Sequence, residues 1–344
     1  MEGEYVAVMN SNSNITIIVT GGLGFIGSHF VDLALNKGYR VVNIDKVTYA
    51  SDIRLNDVFH NAYPDRYSFI KEDIVDLKEL PYGKFIVHFA AESHVDNAIR
   101  DSDIFVRSNV LGTQNLLNLL VDARRRNGAH AWNVELPMFI YVSTDEVFGD
   151  RDEGFFKEND RHNPSNPYSA SKSMAEMLVL SYGRTYGIPY KITRTTNNYG
   201  QRQHHEKLIP NCIAKVLAGE KVKVHGSGNQ IRNWIYVKDN CDAIWKIMES
   251  GKINETYHIA SPEEYSVNEV VGVILNEVGK PFSPDTVEYV QDRSGQDMRY
   301  ALDYSKTSEE LGWQPKTDFK SHLRDVIHDY EEKFTKGLWP FAQN

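Results

Sequence analysis

Two adjacent carboxylates follow an apolar, strand-like run near the middle of the chain. Residues 138–142 read Met-Phe-Ile-Tyr-Val, and Ser143, Thr144, Asp145 and Glu146 come next. Neighbouring side chains on an extended backbone point to opposite sides. If both carboxylates nevertheless line one pocket, their surroundings can separate their pKa values, which provides one acid and one base. The alternative is a polar loop that caps the next element, and the stretch by itself favours neither.

A tyrosine and a lysine four residues apart form a second reactive pair. Tyr168 and Lys172 come directly after Asn166 and Pro167, where a helix is expected to start. On a helix the two side chains share a face, and a lysine ammonium beside a phenol lowers the pKa of the phenol. Tyr168 would then be a base near neutral pH, which a free tyrosine is not. The alternative is an ordinary surface pair, because this spacing is common.

A glycine-rich loop upstream indicates that a cofactor binds near this pair. Residues 14–20 are apolar and β-branched, which predicts a buried parallel strand. Residues 21–27 then read Gly-Gly-Leu-Gly-Phe-Ile-Gly, which is G-x-G-x-x-G when counted from Gly22 and G-x-x-G-x-x-G when counted from Gly21. Such glycines permit a tight turn and let the backbone approach a pyrophosphate at a helix N-terminus.

An acidic residue at the end of the second predicted strand specifies the type of dinucleotide. Residues 40–44 form that strand and Asp45 ends it, 18 positions beyond Gly27 (45 − 27). A carboxylate about 20 residues beyond the loop bonds the adenosine ribose hydroxyls and repels a 2′-phosphate. The sequence therefore predicts NAD in preference to NADP.

The order of the remaining elements predicts the fold class. Strand-like runs recur at 67–71 and 84–89, and helical patterns follow at 105–120 and from Tyr168 to residue 180. Beyond residue 194 the alternation of strands and helices breaks down, and residues 195–200 are polar and predict a turn. We expect further elements in the C-terminal half as a helix opening at 207–210, a short strand at 222–224, and helices around 241–249, 267–278, 305–311 and 319–334.

These patterns predict an α/β protein, a Rossmann-type doubly wound parallel sheet with a smaller C-terminal α/β substrate domain. We expect residues 1–14 to be a disordered head. Residues 15–195 would form the NAD-binding domain, with a later contribution around 222–250, and residues 196–344 would mainly bind substrate.

Composition narrows the class of protein. The chain has 344 residues, of which 41% are hydrophobic and 25% charged, as in ordinary globular proteins. A net charge of −9 argues against nucleic-acid binding. Cys212 and Cys241 have no metal-ligand spacing, so we predict no metal. No run is long and apolar enough for a membrane span or a signal peptide, and we expect a soluble, cytoplasmic protein.

Taken together, these residues resemble the extended short-chain dehydrogenase/reductase superfamily and, within it, the nucleoside-diphosphate-glucose 4,6-dehydratases of the dTDP-glucose type. The resemblance runs from about residue 15 to beyond residue 313. Its carriers are TGGLGFIGSH (20–29), DKVTYA (45–50), FAAESHVD (89–96), STDEVFGD (143–150), NPYSASK (166–172), NNYG (197–200), EKLIP (206–210), GSGNQIRNWIYVKD (226–239) and DRSGQDMRY (292–300).

The resemblance implies dehydration of a nucleoside-diphosphate-glucose to the 4-keto-6-deoxy sugar, with transient hydride transfer to tightly bound NAD. Tyr168, helped by Lys172, would take the proton of the hydroxyl on sugar carbon 4, and Thr144 would position that oxygen. Glu146 would remove the proton on carbon 5, and Asp145 would protonate the hydroxyl that leaves carbon 6.

The resemblance also implies which residues bind the ligands. For NAD they are Gly21, Gly24, Phe25, Ile26, Gly27, Asp45, Lys46, Asp73, Ile74, Ala90, Ala91, Ser93, Asn109, Ser143, Tyr168, Lys172 and Asn197. For the nucleotide sugar they are Ser93, Thr144, Asn198, Lys207, Leu208, Lys223, His225, Arg232, Val267, Arg293, Gln296 and Tyr300.

The chain departs from the bacterial dTDP-glucose enzymes at three places. Val267 stands where an asparagine is expected near the nucleobase, and Gln296 stands where a histidine is expected near the diphosphate. The segment between Gly149 and Asn166 is also shorter. UDP-glucose 4,6-dehydratases also lack those two residues. We therefore expect dTDP-glucose first and UDP-glucose second, with the choice of nucleotide left open.

Two other functions compete with the dehydratase. An NAD-dependent nucleotide-sugar 4-epimerase or decarboxylase would share the Tyr168 and Lys172 pair but has no need of Asp145 and Glu146. An NAD-binding regulatory protein would need none of the four. For assembly we expect a homodimer through the helices at 110–120 and 174–180, whose apolar residues occupy more than one face; burial inside the monomer is the alternative.

Overall fold

The computed structural model describes residues 14–126 and 136–338. The expected disordered head, residues 1–14, lies outside this part of the chain except for Asn14. Within the described ranges, no helix is long and apolar enough to cross a lipid bilayer.

The first five strands follow one another in the order that the sequence predicts, but the helix Arg54–Ala62 was not predicted, and the helical pattern expected at 105–120 is divided at residue 112. The strands are β1 (Thr16–Thr20), β2 (Arg40–Ile44), β3 (Tyr67–Ile70), β4 (Phe85–His88), β5 (Met138–Thr144), β6 (Tyr190–Thr195), β7 (Asn197–Tyr199), β8 (Val222–His225), β9 (Ile231–Tyr236), β10 (Glu255–Ile259), β11 (Glu264–Ser266) and β12 (Val287–Val290). The helices are α1 (Phe25–Asn36), α2 (Arg54–Ala62), α3 (Val95–Arg100), α4 (Ser102–Phe105), α5 (Gly112–Arg126), α6 (Pro167–Tyr186), α7 (Leu208–Leu217), α8 (Val237–Ser250), α9 (Val267–Glu277), α10 (Ser305–Leu311) and α11 (Phe319–Thr335).

Seven parallel strands form the central sheet in the order β10-β6-β5-β4-β1-β2-β3. Successive residues of β1 serve opposite faces of this sheet, as a strand requires. Ile17 and Val19 join the apolar core beneath α1 and α8, whereas Ile18 joins the core beneath α5 and α6. The doubly wound parallel sheet predicted from the sequence is confirmed.

The C-terminal half of the chain builds two smaller sheets. One has the order β11-β9-β7 and the other pairs β12 with β8. The polar stretch predicted as a turn at 195–200 is partly wrong, because β7 lies within it and pairs with β9. The helix expected around 241–249 begins earlier, at Val237.

The stretch around 222–250, which we expect to contribute to the NAD-binding domain, is divided between two places. β8 belongs to the two-stranded sheet. By contrast, α8 packs against α1, where the ring of Trp245 lies 5.9 Å from that of Phe30, and the next strand, β10, joins the central sheet beside β6. The chain thus returns to its first sheet after the intervening strands.

Two short non-α segments lie next to the predicted reactive residues. A π-helix, Val106–Leu111, joins α4 to α5. A 3₁₀ turn, Asp145–Phe148, follows β5 directly, so Asp145 and Glu146 do not continue the extended backbone of the strand. The alternation expected for a strand therefore no longer applies to them, and both carboxylates line the same cavity.

Candidate active site

A long cavity lies at the carboxyl ends of the central strands. Its walls come from the residues that follow β1, β2, β3, β4, β5 and β6, together with the first turns of α1 and α6. Ligands of open parallel sheets bind at this edge. Both pairs predicted to be reactive face this cavity, because Thr144, Asp145, Glu146, Tyr168 and Lys172 all line it.

The glycine-rich loop at one end of the cavity is too crowded for side chains. Gly21 has φ +73°, and a Cβ there would lie 2.7 Å from the Ala90 backbone. A Cβ on Gly27 would lie 2.2 Å from the Gly21 carbonyl oxygen. α1 starts from Gly24 without a side-chain cap, so backbone N–H groups of its first turn remain available. These features fit a pyrophosphate group.

Asp45 is tied to the same loop. One of its carboxylate oxygens accepts the backbone N–H of Leu23 at 3.0 Å, and the other accepts the backbone N–H of Val47 at 2.8 Å and the hydroxyl of Ser51 at 3.1 Å. Val47 has φ +63°, which is an uncommon conformation for a β-branched residue. Asp45 thus fixes the turn after β2 while still facing the cavity, where an acceptor for ribose hydroxyls is expected.

The carboxylate turn is organised by Thr144. Its hydroxyl donates to Asp145 Oδ1 at 3.1 Å and accepts the backbone N–H of Glu146 at 3.3 Å. Asp145 is 3% exposed, and its Oδ2 has no hydrogen-bond partner in the part of the chain that the structure describes. Burial, followed by the nearby charge of Glu146, raises the pKa of Asp145 to about 8.

Glu146 has a less one-sided environment. Burial raises its pKa, but the positive charges of Arg232 and Lys207 and a hydrogen bond with Asn166 oppose that rise. The pKa of Glu146 is raised too, with Lys207 as the further cation that opposes this rise. With a pKa raised to about 8, Asp145 keeps its proton at neutral pH, although the hydrogen bond with Thr144 and the charge of Arg232 oppose the rise. Two adjacent carboxyls can serve as one acid and one base when their surroundings separate their pKa values.

The predicted effect of Lys172 on Tyr168 is wrong in this structure. Lys172 Nζ donates to the Val142 carbonyl at 2.7 Å and lies 4.4 Å from the centre of the Tyr141 ring. Burial raises the pKa of Tyr168, Glu146 adds to this, and a hydrogen bond with Thr144 opposes it. Burial also lowers the pKa of Lys172 to about 7, against the charge of Glu176. Spacing alone does not reveal this burial.

The other residues expected to bind NAD lie in two groups. All except one line the cavity, namely Gly21, Gly24, Phe25, Ile26, Gly27, Asp45, Lys46, Asp73, Ile74, Ala90, Ala91, Ser93, Ser143, Tyr168, Lys172 and Asn197. Asn109 is the exception. Its amide donates to the Glu92 carbonyl at 3.0 Å and accepts the Glu92 N–H at 2.8 Å, so it supports the wall from behind.

The residues expected to bind the nucleotide sugar are more scattered. Ser93, Thr144, Asn198 and Lys207 line the cavity. Lys207 Nζ donates to the Ser93 carbonyl at 2.8 Å, which joins two walls. The residues that do not line it are Leu208, Lys223, His225, Arg232, Val267, Arg293, Gln296 and Tyr300.

Several of these outlying residues form a polar layer beside Glu146. The guanidinium of Arg232 donates to the Asp297 carbonyl at 2.8 Å and lies 4.5 Å from the centre of the Tyr300 ring. The Tyr300 hydroxyl donates to Asp297 at 2.6 Å. Arg293 forms an ion pair with Asp96 at 2.8 Å. These arginines are thus held by the protein itself.

Some cavity residues are absent from the sequence-based prediction. Lys46 Nζ lies 3.7 Å from both Asp73 and Glu92, and Glu206 lies on the opposite wall. Glu92 and Glu206 occur in stretches that carry the resemblance, which could have identified them. Thr48 lies in another such stretch, whereas no sequence pattern identifies Ser51, Gln203 or His204. Among the described residues, no cluster of His, Cys, Asp or Glu has a geometry that could hold a metal ion.

Comparison with known proteins places this site in a family. The model of the GDP-mannose 4,6-dehydratase family matches residues 18–326. The chain belongs to this family.

Similar members of the family share most of the length of the chain. The low-salt glycan biosynthesis protein Agl12 of Haloferax volcanii is 43% identical over 91% of this chain and 98% of its own. A dTDP-glucose 4,6-dehydratase of Xanthomonas campestris pv. campestris is 41% identical over 94% of each chain. The structure of DesIV, a dTDP-glucose 4,6-dehydratase from Streptomyces venezuelae solved with NAD and dTDP, has a TM-score of 0.86 at 38% identity. That match covers 95% of this chain and 99% of DesIV.

Proposed function

We propose that this chain is an NAD-dependent hydro-lyase that converts a nucleoside-diphosphate-glucose to the 4-keto-6-deoxy sugar. dTDP-glucose is the first choice of substrate and UDP-glucose the second. Relatives named dTDP-glucose 4,6-dehydratase at about 40% identity support this reaction, as does the DesIV structure with NAD and dTDP.

One observation carries the proposal. A buried carboxyl with its pKa raised to about 8, Asp145, stands next to a carboxyl with cationic neighbours, Glu146, in the cavity that also contains Tyr168 and Lys172. Elimination of water needs one acid and one base in addition to the groups that handle the carbon 4 hydroxyl. A 4-epimerase has no use for the carboxyl pair, so this arrangement favours the dehydratase.

Each of these side chains has a distinct role in the proposal. Tyr168 takes the proton of the carbon 4 hydroxyl, and the Thr144 hydroxyl, which bonds both Asp145 and Glu146, positions that oxygen. Glu146 removes the proton on carbon 5, which the neighbouring ketone has made acidic. Asp145 donates its proton to the hydroxyl that leaves carbon 6.

NAD, when bound, would supply hydride chemistry, taking hydride from carbon 4 and giving it back at carbon 6 while carbon 5 regains a proton. We propose that the glycine loop holds its pyrophosphate and that Asp45 receives its adenosine ribose. The cavity-lining residues named above complete that site, and Asn109 supports it. Lys172 would assist Tyr168, as the resemblance implies; in the structure its Nζ donates to the Val142 carbonyl, and burial lowers its pKa to about 7.

For the nucleotide sugar we propose the predicted set, with Ser93, Thr144, Asn198 and Lys207 at the cavity. Arg232, Arg293, Gln296 and Tyr300 would act from the adjoining polar layer. The nucleobase would then be surrounded by Leu208, Lys223, His225 and Val267. The division into a domain of residues 15–195 and a substrate domain of mainly 196–344 remains part of the same proposal.

The function is tested by incubating the protein separately with dTDP-glucose, UDP-glucose and GDP-mannose. The 4-keto-6-deoxy product is followed by its absorbance in alkali. We expect product from dTDP-glucose, with UDP-glucose as the second choice. Conversion to a 4-epimer without this absorbance would instead establish the epimerase, and no conversion of any nucleotide sugar would refute both.

We also propose a homodimer as the working assembly. In the helices expected at the seam, Leu116, Leu117, Leu119 and Leu120 are buried within the monomer, whereas Leu111, Met174 and Met177 are 43–45% exposed. Two further apolar side chains on α3 and α4, Ile99 and Ile104, are 44% and 49% exposed. Closed two-fold pairing is the commonest way to cover such a face. Cys212 and Cys241 are buried free thiols, in keeping with the reducing cytoplasm that we propose as its location.

A further inference from the structure

Behind the catalytic cavity lies a buried charged network that the proposed reaction does not use. Its centre is Arg194 on β6, which is 3% exposed and pairs in register with Ser143 of β5. Its partner is Glu176 on α6, which is fully buried. Arg194 Nε donates to Glu176 Oε1 at 3.1 Å, and Arg194 Nη2 donates to the same oxygen.

The guanidinium also holds a segment that joins the two halves of the active site. We call the 18 residues from Gly149 to Asn166 the connector, because they link the carboxylate turn to the helix that carries Tyr168 and Lys172. Arg194 Nη1 donates to the Glu158 carbonyl at 2.9 Å, and Nη2 lies 3.1 Å from His162 Nε2. His162 Nδ1 in turn lies 2.8 Å from the Ser173 hydroxyl of α6.

A third contact reaches the carboxylate turn itself. Phe148 ends that turn, and the centre of its ring lies 4.7 Å from the Arg194 guanidinium carbon. The ring also stacks on Phe156 of the connector at 4.7 Å and meets His162 edge-on at 5.4 Å. The guanidinium thus touches α6, the connector and the turn at once.

Within this buried network the positive charge of Arg194 is compensated by the negative charge of Glu176. Although burial opposes it, a hydrogen bond with His162 and the charge of Arg194 lower the pKa of Glu176 to about 2. His258 on β10 is kept neutral, because burial and Arg194 lower its pKa to about 3, and its Nε2 accepts from Arg194 Nη1 at 3.2 Å. A buried ion pair contributes little net stability, so its presence calls for another reason.

We propose that Arg194 is a positioning residue for dehydration: by holding the connector and the Phe148 ring, it fixes the Asp145–Glu146 turn relative to Tyr168. This inference rests on the proposed function. An arginine is required because its planar group makes several directed bonds and stacks on an aromatic ring at the same time, which a lysine cannot do.

The main test variant is Arg194→Lys. It keeps the positive charge opposite Glu176 but loses the several directed hydrogen bonds of the planar guanidinium and its stacking on the Phe148 ring. His162→Leu is the second variant, because it releases the connector and leaves the Arg194–Glu176 pair in place. Lys191→Met is the matched control. Lys191 is a buried cation on the same strand, and within residues 14–126 and 136–338 its Nζ donates to the Ile247 and Met248 carbonyls near the end of α8.

We expect both test variants to lose kcat by about 10–100-fold with KM nearly unchanged, because a displacement of about 1 Å in catalytic groups has effects of that size. The step that becomes slower should be elimination of water, which is measured by deuterium uptake at carbon 5 from D₂O. The first oxidation, measured by the absorbance of reduced nicotinamide, should stay close to that of the unaltered protein. Lys191→Met should lower the melting temperature and leave kcat unchanged.

The outcomes separate this inference from the function on which it rests. The unaltered protein is assayed first, and a failure to form product refutes the proposed function. If it forms product and folded test variants match its kcat, the positioning role of Arg194 is refuted. Equal losses in oxidation and elimination also refute it, since they indicate a general structural disturbance. If Arg194→Lys does not fold, His162→Leu decides the question.

Discussion

Replacing Asp145 by asparagine should separate oxidation of the sugar from loss of water. The amide has nearly the shape of the carboxyl and can still accept the hydrogen bond from Thr144, which is 3.1 Å long. It has no acidic proton to give to a leaving hydroxyl. Since a general acid contributes roughly 10²–10⁴-fold, product formation should fall by about that factor. The first oxidation should continue, because Tyr168 and Lys172 are unchanged.

The pH dependence of the unaltered protein follows from the same carboxyl. With a pKa of about 8, Asp145 is roughly nine-tenths protonated at pH 7. Above about pH 8 its acid form decreases roughly tenfold for each pH unit. Elimination should therefore decline on the alkaline side, and the residual activity of Asp145→Asn should lack that decline.

The raised pKa also costs stability. The folded protein binds a proton at Asp145 that the unfolded chain has already lost above its ordinary pKa of 3.8. This carboxyl therefore lowers stability progressively as the pH rises from about 4 to about 8, and the cost is constant above that range. At roughly 1.4 kcal/mol per pKa unit, the cost at pH 7 is several kcal/mol. Asp145→Asn should consequently melt at a higher temperature, and its advantage should grow with pH.

The assays are the product absorbance in alkali between about pH 6 and 9.5 and thermal melting between about pH 5 and 8. Asp145→Glu is the matched control, because it restores an acidic proton on a longer side chain. A parental product rate from Asp145→Asn would contradict the assignment of Asp145 as the acid. A melting advantage that stays constant with pH would contradict its raised pKa.

Four further outcomes follow from the structure. Glu146→Gln should still oxidise the sugar and accumulate the absorbance of reduced nicotinamide, while deuterium uptake at carbon 5 falls by roughly 10²–10⁴-fold; normal turnover would rule out Glu146 as the base. Tyr168→Phe should show no reduced nicotinamide with substrate, and its appearance would exclude Tyr168 from the first proton transfer. Protein denatured directly after purification should release NAD, and release of NADP alone would contradict the role of Asp45. Light scattering at micromolar concentration should give a dimer mass, and the Leu111→Glu/Met177→Glu variant should give a monomer; a monomer before substitution would refute the proposed assembly.

The N-terminal fold was predictable because buried parallel strands leave a strong trace in the sequence. β1 and β5 are continuous apolar runs, and the glycine loop follows β1 directly. α2 was not predicted, although Leu55, Val58, Phe59 and Ala62 recur at helical spacing; Phe59 alone among its residues is buried. β7 is three residues long, two of them asparagine, and it exists because β9 pairs with it. Elements that depend on a distant partner leave no local signal.

The active site was predictable in its members but not in its electrostatics. Residue types and spacing identified the carboxylates, Tyr168 and Lys172. The pKa of Tyr168 depends on how deeply the phenol is buried and on the nearby charge of Glu146, and neither can be counted along the chain. The role of Arg194 was not predicted, since nothing nearby in sequence indicates that the Glu176 carboxylate and the Glu158 carbonyl converge on it.

The return of β10 to the central sheet has a consequence for synthesis of the chain on the ribosome. Lys191 of β6 pairs with Glu255, which is made 64 residues later (255 − 191). Until then β6, whose six residues are all buried in the finished protein, has one edge without a partner. Unpaired edges of this kind recruit other chains. A nascent chain that stalls between these strands would be prone to aggregate, and chaperone binding should concentrate in that interval of translation.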